Sequence, residues 1–184
     1  MRKLNKNGFT LIELLAAMVI LAAIMVIAVP NVMGILNNSK SNAYVEDAKK
    51  LLSLAEYRFR SDSGIKRPAK GNHCIVMTLK YLDNSELDNA PNNGAYDKAK
   101  SFVVVKNIGA SGGKNKYEYY VSLVEKLENG TYRGIPLKSN SDLYSIESNK
   151  LVKNGASSFT DASGITSGSY CNGGRDAFYD NPVS

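Results

Sequence analysis

The stretch Gly8–Pro30 reads GFTLIELLAAMVILAAIMVIAVP, and it decides how the rest of the chain must fold. From Phe9 to Val29 it is apolar apart from Thr10 and Glu13. At 1.5 Å per residue, an α-helix over these about 21 residues is about 31 Å long, which is enough to cross the hydrocarbon core of a bilayer. We therefore predict a membrane-spanning helix over residues 9–29.

Three cations, Arg2, Lys3 and Lys6, precede the apolar run, and no acid lies among them. Positive charge before an apolar span keeps the N-terminus in the cytoplasm and places the C-terminal bulk across the membrane. The sequence thus predicts a single-pass protein of the cytoplasmic membrane, with its N-terminus inside and its C-terminus outside.

Glu13 is the anomaly of this segment, because a carboxylate inside a bilayer costs about 3 kcal/mol and calls for a specific partner. No small-residue cleavage site follows the apolar run, so any cleavage is expected before it. A cut between Gly8 and Phe9 would create an α-amino group one helical turn from Glu13. That amine, on a neighbouring copy of the chain, is the partner we predict for the carboxylate.

Helical periodicity continues past the apolar run. Pro30 is expected to kink or locally melt the helix, since it lacks one backbone donor. An apolar stripe at spacings of three and four then resumes on an otherwise polar helix. Its members are Tyr44, Ala48, Leu51, Ala55 and Phe59. We predict an amphipathic continuation over residues 30–61, ending in the breaker cluster Ser61–Gly64.

Residues 62–184 are predicted to form a globular head with a loop-rich C-terminal region from Gly155. A short helix is favoured over a strand for residues 74–82. Strand candidates follow at 101–106, 116–125 and 131–135, with a hairpin signal at Asn129-Gly130 and a further edge at 143–152. A long helix followed by an antiparallel meander of three or four strands is an α+β fold.

The two cysteines, Cys74 and Cys171, both fall on the predicted outer side of the membrane. An even pair in an oxidising compartment predicts one disulfide, with two free thiols as the alternative in an organism that lives without oxygen. No cofactor is expected. Calcium is the metal to consider, because loop oxygens suit it; its candidate ligands in the C-terminal loop are Asp161, Asp176, Asp180 and Asn181.

Catalysis and nucleic-acid binding are both disfavoured by the composition. The single histidine, His73, adjoins Cys74, but no third group to orient a nucleophilic pair is evident, so we do not expect an enzyme. The net charge of +6 owes half its excess to the first eight residues, so nucleic acid is not an expected partner. A receptor or DNA site would use the basic loop Lys66–Lys70 with Lys114 and Lys116.

The residues Gly8–Leu15, GFTLIELL, resemble the class III signal of type IV pilins and their pseudopilin relatives. The resemblance implies cleavage after Gly8 by a membrane prepilin peptidase, which leaves 1–8 as a leader peptide, and N-methylation of Phe9. It implies that Glu13 pairs with the Phe9 amine of an adjacent subunit, and Pro30 falls where pilins commonly have a proline. The short leader is similar to the type IVa group, whereas Cys74 departs from the usual pair of C-terminal cysteines.

As the function, we expect a structural subunit, major or minor, of a type IV pilus. Such a fimbrium self-assembles as a helical filament through the pilus assembly machinery in the membrane and serves cell adhesion, twitching motility or aggregation. The alternatives are a pseudopilin of a type II secretion system or of a competence system for DNA uptake, and a minor tip pilin acting as a binding module. The chain length and the Gly/Ser/Asn-rich tail favour the surface filament.

Overall fold

The computed structural model describes residues 10–82, 87, 89–111 and 114–182. It divides into two compact units, Met1–Asn38 and Ser39–Ser184. The first element, α1, spans Leu11–Ser61 and contributes to both units. Its C-terminal end falls at the first residue of the predicted breaker cluster.

The part of α1 in the first unit stays helical through Pro30, so the expected local melting is not found. Proline removes one backbone donor to the preceding turn. The carbonyl that loses its partner at Pro30 is that of Val26, four residues earlier. Beside it the helix gains one side-chain bond, since Nδ2 of Asn31 donates to the carbonyl oxygen of Ile27 at 3.0 Å.

The part of α1 in the second unit is amphipathic, as predicted. All five members of the apolar stripe are buried, and Val45 and Leu52 widen it. They form the main hydrophobic core with inward-facing sheet residues, among them Ile75, Val103 and Leu123. The α+β class is confirmed: a long N-terminal helix packed on a sheet.

The described residues contain one six-stranded sheet and several short helices. The strands are β1 (Cys74–Thr78), β2 (Phe102–Ser111), β3 (Lys114–Lys126), β4 (Tyr132–Ser139), β5 (Lys153–Ala156) and β6 (Arg175–Tyr179). The short helices are α2 (Leu79–Leu82), α3 (Asn140–Ser145) and α4 (Ser148–Leu151), with a 3₁₀ turn at Ala162–Gly164.

The strand order is β5-β4-β3-β2-β1-β6, and only the β1–β6 pair is parallel. The predicted meander is therefore correct for its central strands but is extended at both edges. The helix favoured over 74–82 is wrong in its first half, because residues 74–78 form β1. Every residue of β1 is buried, so the strand lacks the polar alternation that marks a half-exposed one.

The predicted edge at 143–152 is also wrong, since α3 and α4 occupy most of it. A capping box starts α3: the Ser139 side chain accepts from the Asp142 backbone amide, and the Asp142 side chain accepts from the Ser139 amide. This local signal overrides the strand propensity of the residues that follow.

The C-terminal segment covers the opposite face of the sheet from α1. Cys74 and Val76 point away from Ile75 and Met77 because successive strand residues alternate. They form a second, smaller core with Phe102, Val104, Ala162, Ile165 and Cys171. The region predicted as loop thus contains a strand, β6, which adds to β1 in parallel.

A disulfide joins Cys74 to Cys171, with the two Cα atoms 5.3 Å apart, and both residues are fully buried. Beside it, Nδ1 of His73 contacts Oδ1 of Asp176 at 2.8 Å. Burial opposes ionisation of Asp176, but the backbone amide of Ala69 and the His73 ring outweigh it, so its pKa lies below the usual value. The disulfide and this pair hold the C-terminal segment to β1.

Reduction of the disulfide should lower the free energy of unfolding by about 2–5 kcal/mol, because it releases a long closed loop in the unfolded chain. Guanidinium unfolding of the full chain in detergent, with and without reductant, measures this. The double variant C74A/C171A should not respond to reductant. An unchanged wild-type midpoint on reduction would contradict the stabilising role of the bond.

Candidate functional site

The N-terminus of α1 carries the candidate assembly residue, Glu13. Its Oε2 accepts hydrogen bonds from the backbone amide and the hydroxyl of Thr10, each at 2.9 Å. The Glu13 amide in turn donates to Thr10 Oγ1 at 3.3 Å. This reciprocal arrangement is a capping box, which satisfies backbone donors that the first turn of a helix leaves free.

Thr10 is therefore a partner of Glu13 within the same chain, and the sequence reasoning missed it. The signal was readable: a Thr followed three residues later by Glu, before an apolar run, is the capping-box signature. Both bonds from Thr10 go to one carboxylate oxygen, and a carboxylate can accept about four hydrogen bonds in all. The geometry holds Glu13 in place and leaves capacity for a further donor.

Among the described residues, the other predicted assembly residue, Pro30, does not lie beside Glu13. Gly8 and Phe9, the predicted processing residues, lie outside the described residues. Pro30 lies farther along α1, about 26 Å from Glu13 at the α-helical rise of 1.5 Å per residue. The described part of the site is thus a capped helix end rather than a pocket.

The side chains of the apolar half of α1 are exposed to solvent on every face of the helix. Every residue from Thr10 to Asn38 is exposed, and the large apolar ones expose at least half of their surface. The helix is long and apolar enough to cross a membrane. Such a surface is unstable in water and must be covered by lipid or by protein.

Comparison with known families decides what this helix is. A model described as the prokaryotic N-terminal methylation motif matches residues 3–29. The chain carries the type IV prepilin signature. The matched range contains Gly8, Phe9 and Glu13, together with the whole of the apolar run. No curated protein and no solved structure matches the chain.

The prepilin signature supports a pilin-like or pseudopilin precursor and indicates a structural protein rather than an enzyme. It implies processing by a prepilin peptidase. The Cys74–His73 pair considered for catalysis has no free thiol, because Cys74 is in the disulfide. His73 contacts Asp176 instead.

The three aspartates considered for calcium contact three different basic residues. Asp161 contacts Lys100 at 2.6 Å, Asp176 contacts His73, and Asp180 lies 3.7 Å from Lys80. Within the described ranges, no group of three or more His, Cys, Asp or Glu side chains is placed to hold a metal ion. In the structure these aspartates are partners of lysine and histidine side chains.

A buried polar cluster in the second unit ties α1 to the sheet. Glu125 of β3 is 1% exposed. Its carboxylate accepts hydrogen bonds from the Tyr44 hydroxyl, from Asn92 Nδ2 at 2.9 Å and from the Gly94 amide at 3.0 Å. The cluster thereby fastens the loop before β2 to both α1 and β3.

Charges and a second tyrosine complete this cluster. Lys40 Nζ donates to Asn92 Oδ1 at 2.9 Å, and the Tyr96 hydroxyl donates to Asp47 at 2.8 Å. Burial and the bond to Glu125 raise the pKa of Tyr44 well above its ordinary value, so its hydroxyl stays a donor. The sequence contains a signal for this cluster. Glu125 follows Val121 and Leu123 at spacings of two on one strand, so its carboxylate is expected on the same, inward-facing side.

Tyr44→Phe should destabilise the head by about 1–3 kcal/mol, because it removes a donor from a buried carboxylate and leaves its packing volume nearly unchanged. Tyr57→Phe is the matched control, since Tyr57 lies on the same helix and is 67% exposed; it should change stability by less than about 0.5 kcal/mol. Denaturant unfolding measures both. Equal effects of the two substitutions would contradict the role given to the buried cluster.

Proposed function

We propose that this protein is a subunit of a type IV pilus, made as a membrane-anchored precursor and polymerised through the apolar half of α1. The observation that carries the proposal is the N-terminal methylation motif over residues 3–29, most of which lies on a helix whose first half is apolar and exposed on every side. The head is the part displayed on the filament surface.

Processing converts the anchored form to the assembling one. The leader holds Arg2, Lys3 and Lys6, the charges that keep the N-terminus in the cytoplasm. Cleavage by the prepilin peptidase after Gly8 removes all three and exposes the Phe9 amine. N-methylation leaves that amine basic, so it remains a cation.

Assembly exchanges lipid for neighbouring helices around the apolar half of α1. Glu13 then needs a donor in a nonpolar bundle, and the Phe9 amine of an adjacent subunit supplies a positive one. The capping box with Thr10 supports this pairing, because it fixes the carboxylate before assembly and lowers the entropy lost on pairing.

A surface filament is favoured over a periplasmic pseudopilus by the head. Its Gly/Ser/Asn-rich C-terminal segment is largely exposed and is closed onto the sheet by the disulfide. The exposed polar segment suits the surface of a filament, whereas the disulfide suits either location, because the periplasm and the exterior are both oxidising. Adhesion, twitching motility or aggregation are the activities that such a filament would serve.

Gly8→Ala should leave the precursor uncleaved, because the side chain added at the junction obstructs the peptidase. Intact-mass spectrometry of the membrane fraction should then show residues 1–8 retained and Phe9 unmethylated. Gly34→Ala is the matched control, since it adds the same methyl group to open space on α1, away from the cleavage junction. A normal mature N-terminus in Gly8→Ala would contradict the processing site.

Glu13→Ala should still be cleaved but should give about tenfold fewer sheared filaments, the effect of losing about 1.4 kcal/mol per added subunit. Glu46→Ala removes an exposed acid from the same helix and should leave the filament yield unchanged. Quantitative immunoblotting of the sheared and membrane fractions measures both. Unchanged yield with Glu13→Ala would refute the pairing, and retention of residues 1–8 would place Glu13 in processing instead.

A further inference from the structure

A groove of about 600 Å³ lies on the head where the end of α1, the loop after it, β3 and the start of α3 meet. Two parts of the chain that are distant in sequence line it: Arg67 from the basic loop and Lys116 from β3. Both belong to the set of cations that the sequence indicates for a receptor or DNA site. A volume of this size suits a small ligand of one or two rings.

The polar lining of the groove is predominantly cationic. Arg60, Arg67 and Lys116 are exposed and contribute three positive charges, against the single carboxylate of Glu56. Glu56 is already paired with Arg60. The lining therefore carries a net positive charge. Two of its cations, Arg67 and Lys116, come from segments that are distant from each other in the sequence.

Aromatic packing holds Arg67 in position. Its guanidinium carbon lies 4.1 Å from the centroid of the Phe59 ring, a cation–π contact, and Phe59 itself is buried. A guanidinium stacked on a ring is ordered before binding, so less entropy is lost when its planar donors meet a carboxylate.

The floor of the groove is formed by tyrosines. Tyr117 and Tyr119 lie two residues apart on β3 and so face the same side of the sheet. Their rings meet Phe59 edge to face, at centroid distances of 4.9 Å and 6.2 Å. Both are half-buried and line the groove, so part of each side chain remains accessible to a ligand. The amides of Asn115 and Asn140 add donors and acceptors at the rim.

We propose that this groove binds an acidic saccharide. The anionic group would be held by Arg67 and Lys116, the sugar ring would pack on Tyr117 and Tyr119, and the rim amides would bond its hydroxyls. Guanidinium donors match carboxylate and sulfate geometry, and tyrosine combines an apolar face with a polar tip. The inference goes beyond filament assembly and does not depend on it.

A nucleic acid fits this groove less well. The affinity of a protein for a nucleic acid grows with the number of phosphates that its cations neutralise. The groove offers three cations, one of which is paired with Glu56. Its volume also accommodates a small ligand better than a continuous strand.

The test is calorimetric titration of the full chain in a neutral detergent. Two acidic probes, sialyllactose and sulfated lactose, separate carboxylate from sulfate as the anion, and lactose is their neutral counterpart. Binding of at least one acidic probe, with no heat from lactose, is the expected result. An absence of binding by both acidic probes at millimolar concentrations would overturn the proposal.

Variants locate the binding. Lys116→Ala and Arg67→Ala should each weaken it about tenfold or more, a loss of about 1.4 kcal/mol. Lys70→Ala is the matched control, since it removes the same charge from the same exposed loop outside the groove. Unfolding curves check that Lys116→Ala remains folded. Equal losses with Lys70→Ala, or groove-dependent binding of a single-stranded oligonucleotide with none of saccharide, would refute the assignment.

Discussion

The bare apolar half of α1 is the constraint on which the rest of the molecule depends. Burial of apolar surface is worth about 25 cal/mol per Å², so a helix exposed on every side cannot remain in water. Every residue from Thr10 to Asn38 is exposed in the structure. Two environments for this helix fit the prepilin signature: lipid before assembly, and the helices of neighbouring subunits after it.

The later part of α1 contributes to the core of the head, and its sequence is amphipathic instead of apolar throughout. One apolar stripe packs on the sheet, and charged residues occupy the remaining faces. Two devices then fix the periphery of the head. The Glu125 cluster fastens the loop before β2 to the helix, and the Cys74–Cys171 disulfide fastens the C-terminal segment to the far face of the sheet. The peripheral segments of the head are thereby fixed to its core, whereas the apolar half of α1 is exposed and can contact other molecules.

Features encoded by local periodicity could be predicted from the sequence, and features that depend on distant pairing could not. The buried stripe from Tyr44 to Phe59 and the end of α1 follow from helical spacing alone. β1 was misread because burial on both faces removes the alternation, and β6 because its partner lies about 100 residues away. At the candidate site, Thr10 was readable as a cap but overlooked. The cations of the groove could be predicted as members of one candidate site, but its aromatic lining could not, since only the fold brings Phe59 to Tyr117.

The central claim is that this chain leaves the membrane as a processed subunit of a surface filament. Mass spectrometry of the N-terminal peptide, from filaments sheared off intact cells that make the protein, tests it most directly. The account predicts a peptide that begins at N-methylated Phe9, with residues 1–8 absent from the filament fraction. A filament fraction that lacks the chain, or that contains it with Met1–Gly8 still attached, would contradict the account.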